Sequence, residues 1–258
     1  NNLPDVRENS PEQIQNPEWE SGDWAYFWNA NGMLAKVKRP NGKEISFEYD
    51  ALGRRTSKIG LKKITRYIWD GNVLLHEWSY DIDEEPVTTV DDDGNVIVGK
   101  EPVENVVTWV YERNSYVPCA KIINGESYSI VSDYLGRPVQ AFDKEGKVIW
   151  STEYDIYGNL KNVKGDRYFI PFRQLGQYED IETDGLYYNR YRYYDSSSGV
   201  YLSKDPIGLF GNNPNPYAYV FDSNNWVDIF GLDPLGTTGY AVYALYENGS
   251  STPYYVGI

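Results

Sequence analysis

Apolar and polar residues alternate over short runs along most of the chain. Lys43-Glu44-Ile45-Ser46-Phe47-Glu48-Tyr49 alternates cleanly, as do Thr65-Arg66-Tyr67-Ile68-Trp69 and Asn105-Val106-Val107-Thr108-Trp109-Val110-Tyr111. A two-residue period places one set of side chains on one face of an extended chain, so each run predicts a half-buried strand. Between the runs fall Asn31-Gly32, Asn41-Gly42, Asp70-Gly71, Asp93-Gly94, Asn124-Gly125 and Glu145-Gly146. Such pairs readily take positive φ at both central positions and predict tight type I′ hairpins. The expected fold class is all-β, a meander of hairpins.

The pattern repeats. Tyr49-Asp50-Ala51-Leu52-Gly53-Arg54 matches Ser132-Asp133-Tyr134-Leu135-Gly136-Arg137 and Glu153-Tyr154-Asp155-Ile156-Tyr157-Gly158-Asn159. Asp133 and Asp155 lie 22 positions apart, and Asp50 and Asp70 lie 20 apart. A loose period of about 20 residues predicts stacked units whose apolar faces cover one another. One stretch breaks this rhythm. Asp81 to Glu104 is rich in acids and holds Pro86 and Pro102, which predicts an exposed acidic hairpin and loop. Asp91-Asp92-Asp93-Gly94-Asn95 does not follow the spacing of an EF-hand calcium loop. Residues 1–18, polar with Pro4, Pro11 and Pro17, read as an extended lead-in.

Composition sharpens the class. The 25 tyrosines and 8 tryptophans favour pleated, half-buried surfaces, and a single Met argues against a helical bundle. With 24 basic and 38 acidic residues the formal charge is -14, which repels a phosphate backbone on average and makes the bulk of this chain a poor nucleic-acid binder. The acidity suits a basic partner or cargo. A lone Cys119 forbids an internal disulfide and is expected as a small buried hydrophobe. A lone His76 cannot build a histidine-rich metal site and is expected as a sheet residue, so neither metal nor cofactor is anticipated. No apolar run is long enough to span a membrane. The start, Asn1-Asn2-Leu3-Pro4, has neither an initiating Met nor the features of a signal peptide, and is expected to be an internal point of a longer protein.

Several of these residues resemble a known family. Tyr49-Asp50-Ala51-Leu52-Gly53-Arg54 is similar to the YD-repeat of bacterial RHS proteins, and Trp109 to Trp150 to the stretch preceding their core-associated region. The densest similarity runs through Pro171-Phe172-Arg173-Gln174-Leu175-Gly176-Gln177-Tyr178. It continues through Gly185 to Asp195 and Gly199 to Leu209, and closes with Trp226-Val227-Asp228-Ile229-Phe230-Gly231-Leu232. The resemblance covers roughly residues 20–232. It implies a YD-repeat sheet over 19–165, spiralling into part of a hollow shell around a toxin. A core-associated autocleavage region over 166–232 would act as its plug.

That resemblance also implies a self-cleavage site. Asp205-Pro206-Ile207-Gly208-Leu209 and Asp228-Ile229-Phe230-Gly231-Leu232 are separated by eighteen residues, like the paired D-P-x-G-L elements of the family. By that likeness Asp205 and Asp228 form the catalytic pair, and the bond between Leu232 and Asp233 is cut. Lys204 occupies a place where the family often has Arg. Ile229 departs from the pattern, where Pro is usual. Asp233-Pro234-Leu235-Gly236 is a second, poorer candidate for the later element. The chemistry is coherent. Two close carboxylates share one proton, so one can activate water while the other polarises the carbonyl. Lys204 can stabilise negative charge, and Gly208 and Gly231 permit sharp turns. Asp-Pro and Asp-x-x-Gly are also ordinary turn chemistry.

Beyond Leu232 the chain resembles the opening hairpin of a GIY-YIG nuclease. Ala241-Val242-Tyr243 and Tyr255-Val256-Gly257 stand for its two tripeptides, with eleven residues between Tyr243 and Tyr255. The helix and metal-binding Glu of such nucleases are not in this sequence, so residues 233–258 would be only the start of a released toxin domain. The resemblance implies a single-turnover aspartic autoprotease within an exported bacterial effector. Its partners would be its own toxin cargo, the upstream shell, a secretion apparatus and an immunity protein. Alternatives from the residues alone are a purely structural shell segment or a tyrosine-rich cell-surface binding module.

Overall fold

The computed structural model describes residues 19–208 and 213–232, and the backbone of two short strands, 243–246 and 253–257. Twelve strands form one antiparallel sheet. The first six are β1 (Ala25–Trp28), β2 (Leu34–Lys38), β3 (Glu44–Tyr49), β4 (Arg55–Ile59), β5 (Lys63–Asp70) and β6 (Val73–Asp81). The chain then steps out into a separate two-stranded hairpin, β7 (Thr88–Val90) and β8 (Val96–Val98). It returns through β9 (Val107–Tyr111), β10 (Pro118–Ile123), β11 (Glu126–Ser132), β12 (Pro138–Phe142), β13 (Val148–Tyr154) and β14 (Leu160–Lys164). Strand order follows chain order, with β6 beside β9. The fold is thus the all-β meander expected from alternation.

The hairpin turns are tighter in chemistry than their dipeptides suggest. Asn124-Gly125 has positive φ at both residues, as a type I′ turn requires. At Asn31-Gly32, Asn41-Gly42, Asp93-Gly94 and Glu145-Gly146 only the glycine does. These close as a turn followed by a glycine bulge, with Gly146 N–H donating to Asp143 C=O and Asp143 N–H to Lys147 C=O. The Asp-x-x-Gly repeat uses the same turn, and its Asp is the reason. The Asp50 carboxylate accepts N–H groups from Leu52 and Arg54 and pairs with the Arg54 guanidinium, and Asp133 does the same with Leu135 and Arg137. An Asp that satisfies the turn's own donors selects this geometry over type I′.

The excursion after β6 matches the exposed acidic hairpin anticipated for Asp81 to Glu104. All residues of β7 and β8 are exposed, and Asp91 spends its carboxylate on the N–H groups of Asp93 and Asn95. His76 is a sheet residue of β6, with Nδ1 against the Thr108 hydroxyl at 2.9 Å. Cys119 lies half-buried on β10, and burial raises its thiol pKa.

One face of the large sheet is covered by the segment that follows it. Residues from 166 onward lead into a four-stranded sheet of β15 (Tyr178–Glu179), β16 (Leu186–Asn189), β17 (Arg192–Asp195) and β18 (Val200–Tyr201). Leu186, Tyr188 and Tyr193 pack on Leu34, Val37, Ile45 and Phe47, while Ile170, Phe172 and Tyr178 pack on Tyr67, Trp109 and Trp150. Edge-to-face pairs such as Trp109–Phe172, 4.7 Å between ring centres, contribute about 1 kcal/mol each beyond area burial. The opposite face keeps Ile68, Val110, Ile122 and Val131 exposed.

A buried charge cluster locks the two layers in register. The Arg55 guanidinium of β4 meets both Asp180 oxygens, at 2.6 and 3.0 Å, and Lys58 reaches Asp180 and Glu182. Arg55 also lies over the rings of Tyr188 and Tyr67, at 4.5 and 4.7 Å. Burial alone would raise the Asp180 carboxyl, but the Arg55 and Lys58 charges more than reverse this and hold it below its ordinary value. Glu77 of β6 accepts from Tyr178 and Trp109, at 2.6 and 3.1 Å, tying the same layers a second time. The remaining strands, β19 (Tyr243–Tyr246) and β20 (Pro253–Gly257), pair antiparallel with Tyr243 opposite Gly257 and Leu245 opposite Tyr255.

Candidate active site

The site lies where β17 and β18 meet the returning segment 213–232. Arg192 opens β17 at the end of a two-residue hairpin whose turn is Arg190-Tyr191, and Arg190 takes positive φ there. Segment 200–205 is stitched to the returning chain by Tyr201 N–H to Tyr217 C=O and Asp205 N–H to Pro216 C=O. Asp205 then caps its own turn, accepting from Ile207 N–H at 2.9 Å. These bonds carry Asp205 from one side and Asp228 from the other to a single guanidinium.

Arg192 Nη2 stands 3.1 Å from Asp205 Oδ2 and 3.2 Å from Asp228 Oδ2. The same nitrogen donates to the carbonyl oxygen of Leu232 at 3.1 Å, and Arg192 Nε donates to the carbonyl of Gly231. Asp228 Oδ1 accepts from Leu232 N–H at 3.0 Å. Two carboxyls, one guanidinium and the backbone N–H and C=O of Leu232 thus meet at one point. All three side chains are buried, with 2, 7 and 0% exposure for Arg192, Asp205 and Asp228. Gly231 permits the approach. Its φ is +65°, and a Cβ there would come within 2.5 Å of the Asn189 carbonyl oxygen.

Aromatic residues wall the acids. The Arg192 guanidinium lies 3.7 Å from the ring centre of Tyr201. Tyr187, Tyr194, Tyr201 and Tyr219 form a buried cluster beneath. Tyr201 O–H donates to Asp228 Oδ2 at 2.8 Å, and Asp228 N–H donates to the Tyr219 hydroxyl. Burial raises the Asp228 carboxyl above its ordinary value; the Arg192 charge, the Leu232 and Gly231 amides and the Tyr201 hydroxyl oppose this only in part.

Of the residues singled out from sequence, Asp205, Asp228, Gly231 and Leu232 come together. Pro206 and Gly208 complete the turn that Asp205 caps, with Gly208 N–H donating to Asp205 C=O. Lys204 is exposed, and among the described residues it makes no ion pair with either aspartate. Leu209 and Asp233 lie outside the described residues. Arg192, Tyr201 and Asn189 were not singled out by sequence reasoning. The signal that would have found Arg192 is a charge placed inside an alternating aromatic strand, Tyr191-Arg192-Tyr193-Tyr194, since a charge buried there must be paired.

Comparison with known proteins agrees with the architecture. The Teneurin YD-shell model matches residues 101–225, and the RHS repeat model residues 28–60. The probable deoxyribonuclease RhsA of Dickeya dadantii is 31% identical over 234 residues, covering 88% of this chain and 15% of that protein. The toxin protein Tse5 of Pseudomonas aeruginosa is 32% identical over 212 residues, covering 75% of this chain and 15% of that protein. The chain therefore spans only a small part of these relatives' length. In structure, the TcdB2-TccC3 crystal structure superposes with a TM-score of 0.61 at 22% identity, over 82% of this chain and 10% of that one. These matches, with the YD hairpins and the covering sheet, show that the chain belongs to the RHS family of YD-repeat shell proteins.

Proposed function

We propose that this chain is the C-terminal end of an RHS shell that encloses a toxin cargo and frees it by cutting its own backbone between Leu232 and Asp233. The observation that carries this reading is Arg192 Nη2 standing within 3.2 Å of both aspartates and of the Leu232 carbonyl oxygen. A guanidinium on that oxygen draws charge from the carbonyl carbon and steadies the oxyanion that forms when water adds. Of the two carboxyls, one takes a proton from the attacking water. The other gives a proton to the Asp233 nitrogen as the C–N bond breaks. The products are a carboxylate on Leu232 and an amine on Asp233. Lys204 adds positive potential at the surface beside Asp205. Fixing the Leu232 peptide against the acids through Gly231 and Asp228 makes the step intramolecular, and proximity of this kind supplies much of the acceleration.

The shell runs to about residue 165, the plug spans 166–232 and the cargo begins at 233. The cargo is a nuclease of the GIY-YIG type, of which β19 and β20 are the first hairpin. Antiparallel pairing that sets Tyr243 opposite Gly257 supports this, as do relatives named as nucleases. Such a protein is exported to a competing cell through a secretion apparatus, with an immunity protein guarding its maker. The test is denaturing electrophoresis of the chain extended by its complete cargo. A free cargo band that vanishes in Asp205→Asn and in Asp228→Asn supports the reading. A cargo band that persists in both variants overturns it.

A further inference from the structure

A chain of hydrogen bonds behind Asp228 has a direction that its chemistry fixes. The backbone carbonyl of Asp228 can only accept, and Asn189 Nδ2 lies 2.9 Å from it, so the amide is oriented with its nitrogen toward the site. The same Nδ2 lies 2.7 Å from the Tyr201 hydroxyl oxygen. An amide nitrogen donates and does not accept, so the hydroxyl receives that bond and must send its own hydrogen elsewhere. The acceptor in reach is Asp228 Oδ2, at 2.8 Å. Burial and the neighbouring Asp228 charge both raise the hydroxyl's pKa, so it keeps that hydrogen. On Asp228, then, Oδ2 receives Tyr201 and Arg192 while Oδ1 receives Leu232 N–H. Three donors converge on this carboxyl and favour its ionised form, working against the burial that raises it.

Asp205 differs. Its Oδ1 accepts Ile207 N–H, and its Oδ2 has the Arg192 nitrogen alone among the described residues. That nitrogen carries two hydrogens and faces three acceptors: Asp205 Oδ2, Asp228 Oδ2 and Leu232 O. One of the three is left short of a hydrogen. Asp228 Oδ2 has Tyr201 to make up the deficit, and Asp205 Oδ2 has no second donor among the described residues.

From this asymmetry we infer that Tyr201 and Asn189 are positioning residues that hold Asp228 as the ionised base of the self-cleavage reaction, leaving Asp205 to carry the shared proton as the acid. The inference rests on the autoproteolysis proposed above and assigns the roles within it. The charged and titratable groups facing Asp228 are Arg192 from β17, Tyr201 from β18, Asp205 from the loop after β18, and Tyr219 from the returning segment. Among these only Tyr201 is a neutral donor to the carboxyl, so its hydroxyl can be removed without changing the net charge of the site.

The test is the pH dependence of the first-order cleavage rate, followed by intact mass after refolding from denaturant. Tyr201→Phe keeps the ring beneath Arg192 and removes the hydrogen. The limb that reports ionisation of the base should move up by roughly one pH unit, with slower cleavage below it and a near-normal rate above. Asn189→Leu, similar in shape but unable to donate, should move the same limb in the same direction by less. Tyr194→Phe, in the same cluster but bonded to the Tyr157 carbonyl, should leave it in place. A Tyr201→Phe profile that superposes on the wild type overturns the positioning role while autoproteolysis stands. A rate lowered equally at every pH also overturns it, since a structural role alone would do that. A wild-type chain that stays whole at every pH overturns the autoproteolysis on which the inference rests.

Discussion

Arg192 and Leu232 are joined by a hydrogen bond of 3.1 Å from the guanidinium Nη2 to the carbonyl oxygen, across forty positions of sequence. In the proposed self-cleavage that bond singles out the Leu232 carbonyl as the target of the two aspartates. It also makes the shape of the cation decisive. Nε holds Gly231 while Nη2 holds Leu232 and both acids, a fork that an ammonium cannot reproduce. Arg192→Lys should keep the charge and slow cleavage by about two to three orders of magnitude, the loss typical of one oxyanion donor. Cleavage half-lives read by intact mass check this; an unchanged half-life would remove Arg192 from the reaction.

Gly231→Ala should abolish cleavage without disturbing the shell. Its backbone sits at φ +65°, which costs an L-residue about 1–2 kcal/mol, and the added methyl would meet the Asn189 carbonyl at 2.5 Å. Relief requires Leu232 to move off Arg192. The check pairs intact mass with thermal unfolding: an uncut chain should melt close to an uncut Asp205→Asn control.

Asp180→Asn should separate the plug from the sheet. Asp180 is fully buried and serves both Arg55 and Lys58, so the substitution strands the buried Arg55 guanidinium and leaves Lys58 with Glu182 alone, a change that typically costs about 3–5 kcal/mol. Urea unfolding should show a lower midpoint. Hydrogen exchange should rise first in β4 and β15, which carry and adjoin the pair.

The same residue sets the response to acid. Its carboxyl is held below the unfolded value of 3.8, so its contribution is fully present above that pH and is lost as pH falls through the folded value. The Asp180 contribution should therefore be constant near neutrality, and stability should drop below about pH 4. Asp180→Asn should flatten that acid limb. A limb of equal steepness in the variant would place the acid sensitivity elsewhere.

The strands were legible because they follow local rules. The alternation of Lys43 to Tyr49 became β3 almost residue for residue, and the run ending in Tyr111 became β9 with its start two residues later. The Asp-x-x-Gly repeat foretold hairpins, although the Asp carboxylates select a glycine-bulge turn rather than type I′. The centre of the site was less legible. Lys204 drew attention by standing next to Asp205, but neighbouring side chains diverge along a chain, and adjacency in sequence does not place two groups together. Arg192 lies thirteen positions before Asp205 and looks, locally, like one more residue of a tyrosine-rich strand. Its role comes from the hairpin turn at Arg190-Tyr191 and from the return of Gly231 over Asn189, which are tertiary facts. The Tyr201–Asn189 relay is hidden for the same reason, since tyrosines are too common in this chain for any one to stand out.

The most direct measurement of the central claim is the intact mass of the purified chain refolded in heavy-oxygen water, beside Asp205→Asn and Asp228→Asn. The account predicts a fragment ending at Leu232 with one heavy oxygen in its new carboxylate, formed by the wild type and by neither variant. A chain that stays whole under every condition, or one that breaks after Asp233 at its acid-labile bond to Pro234, would contradict it.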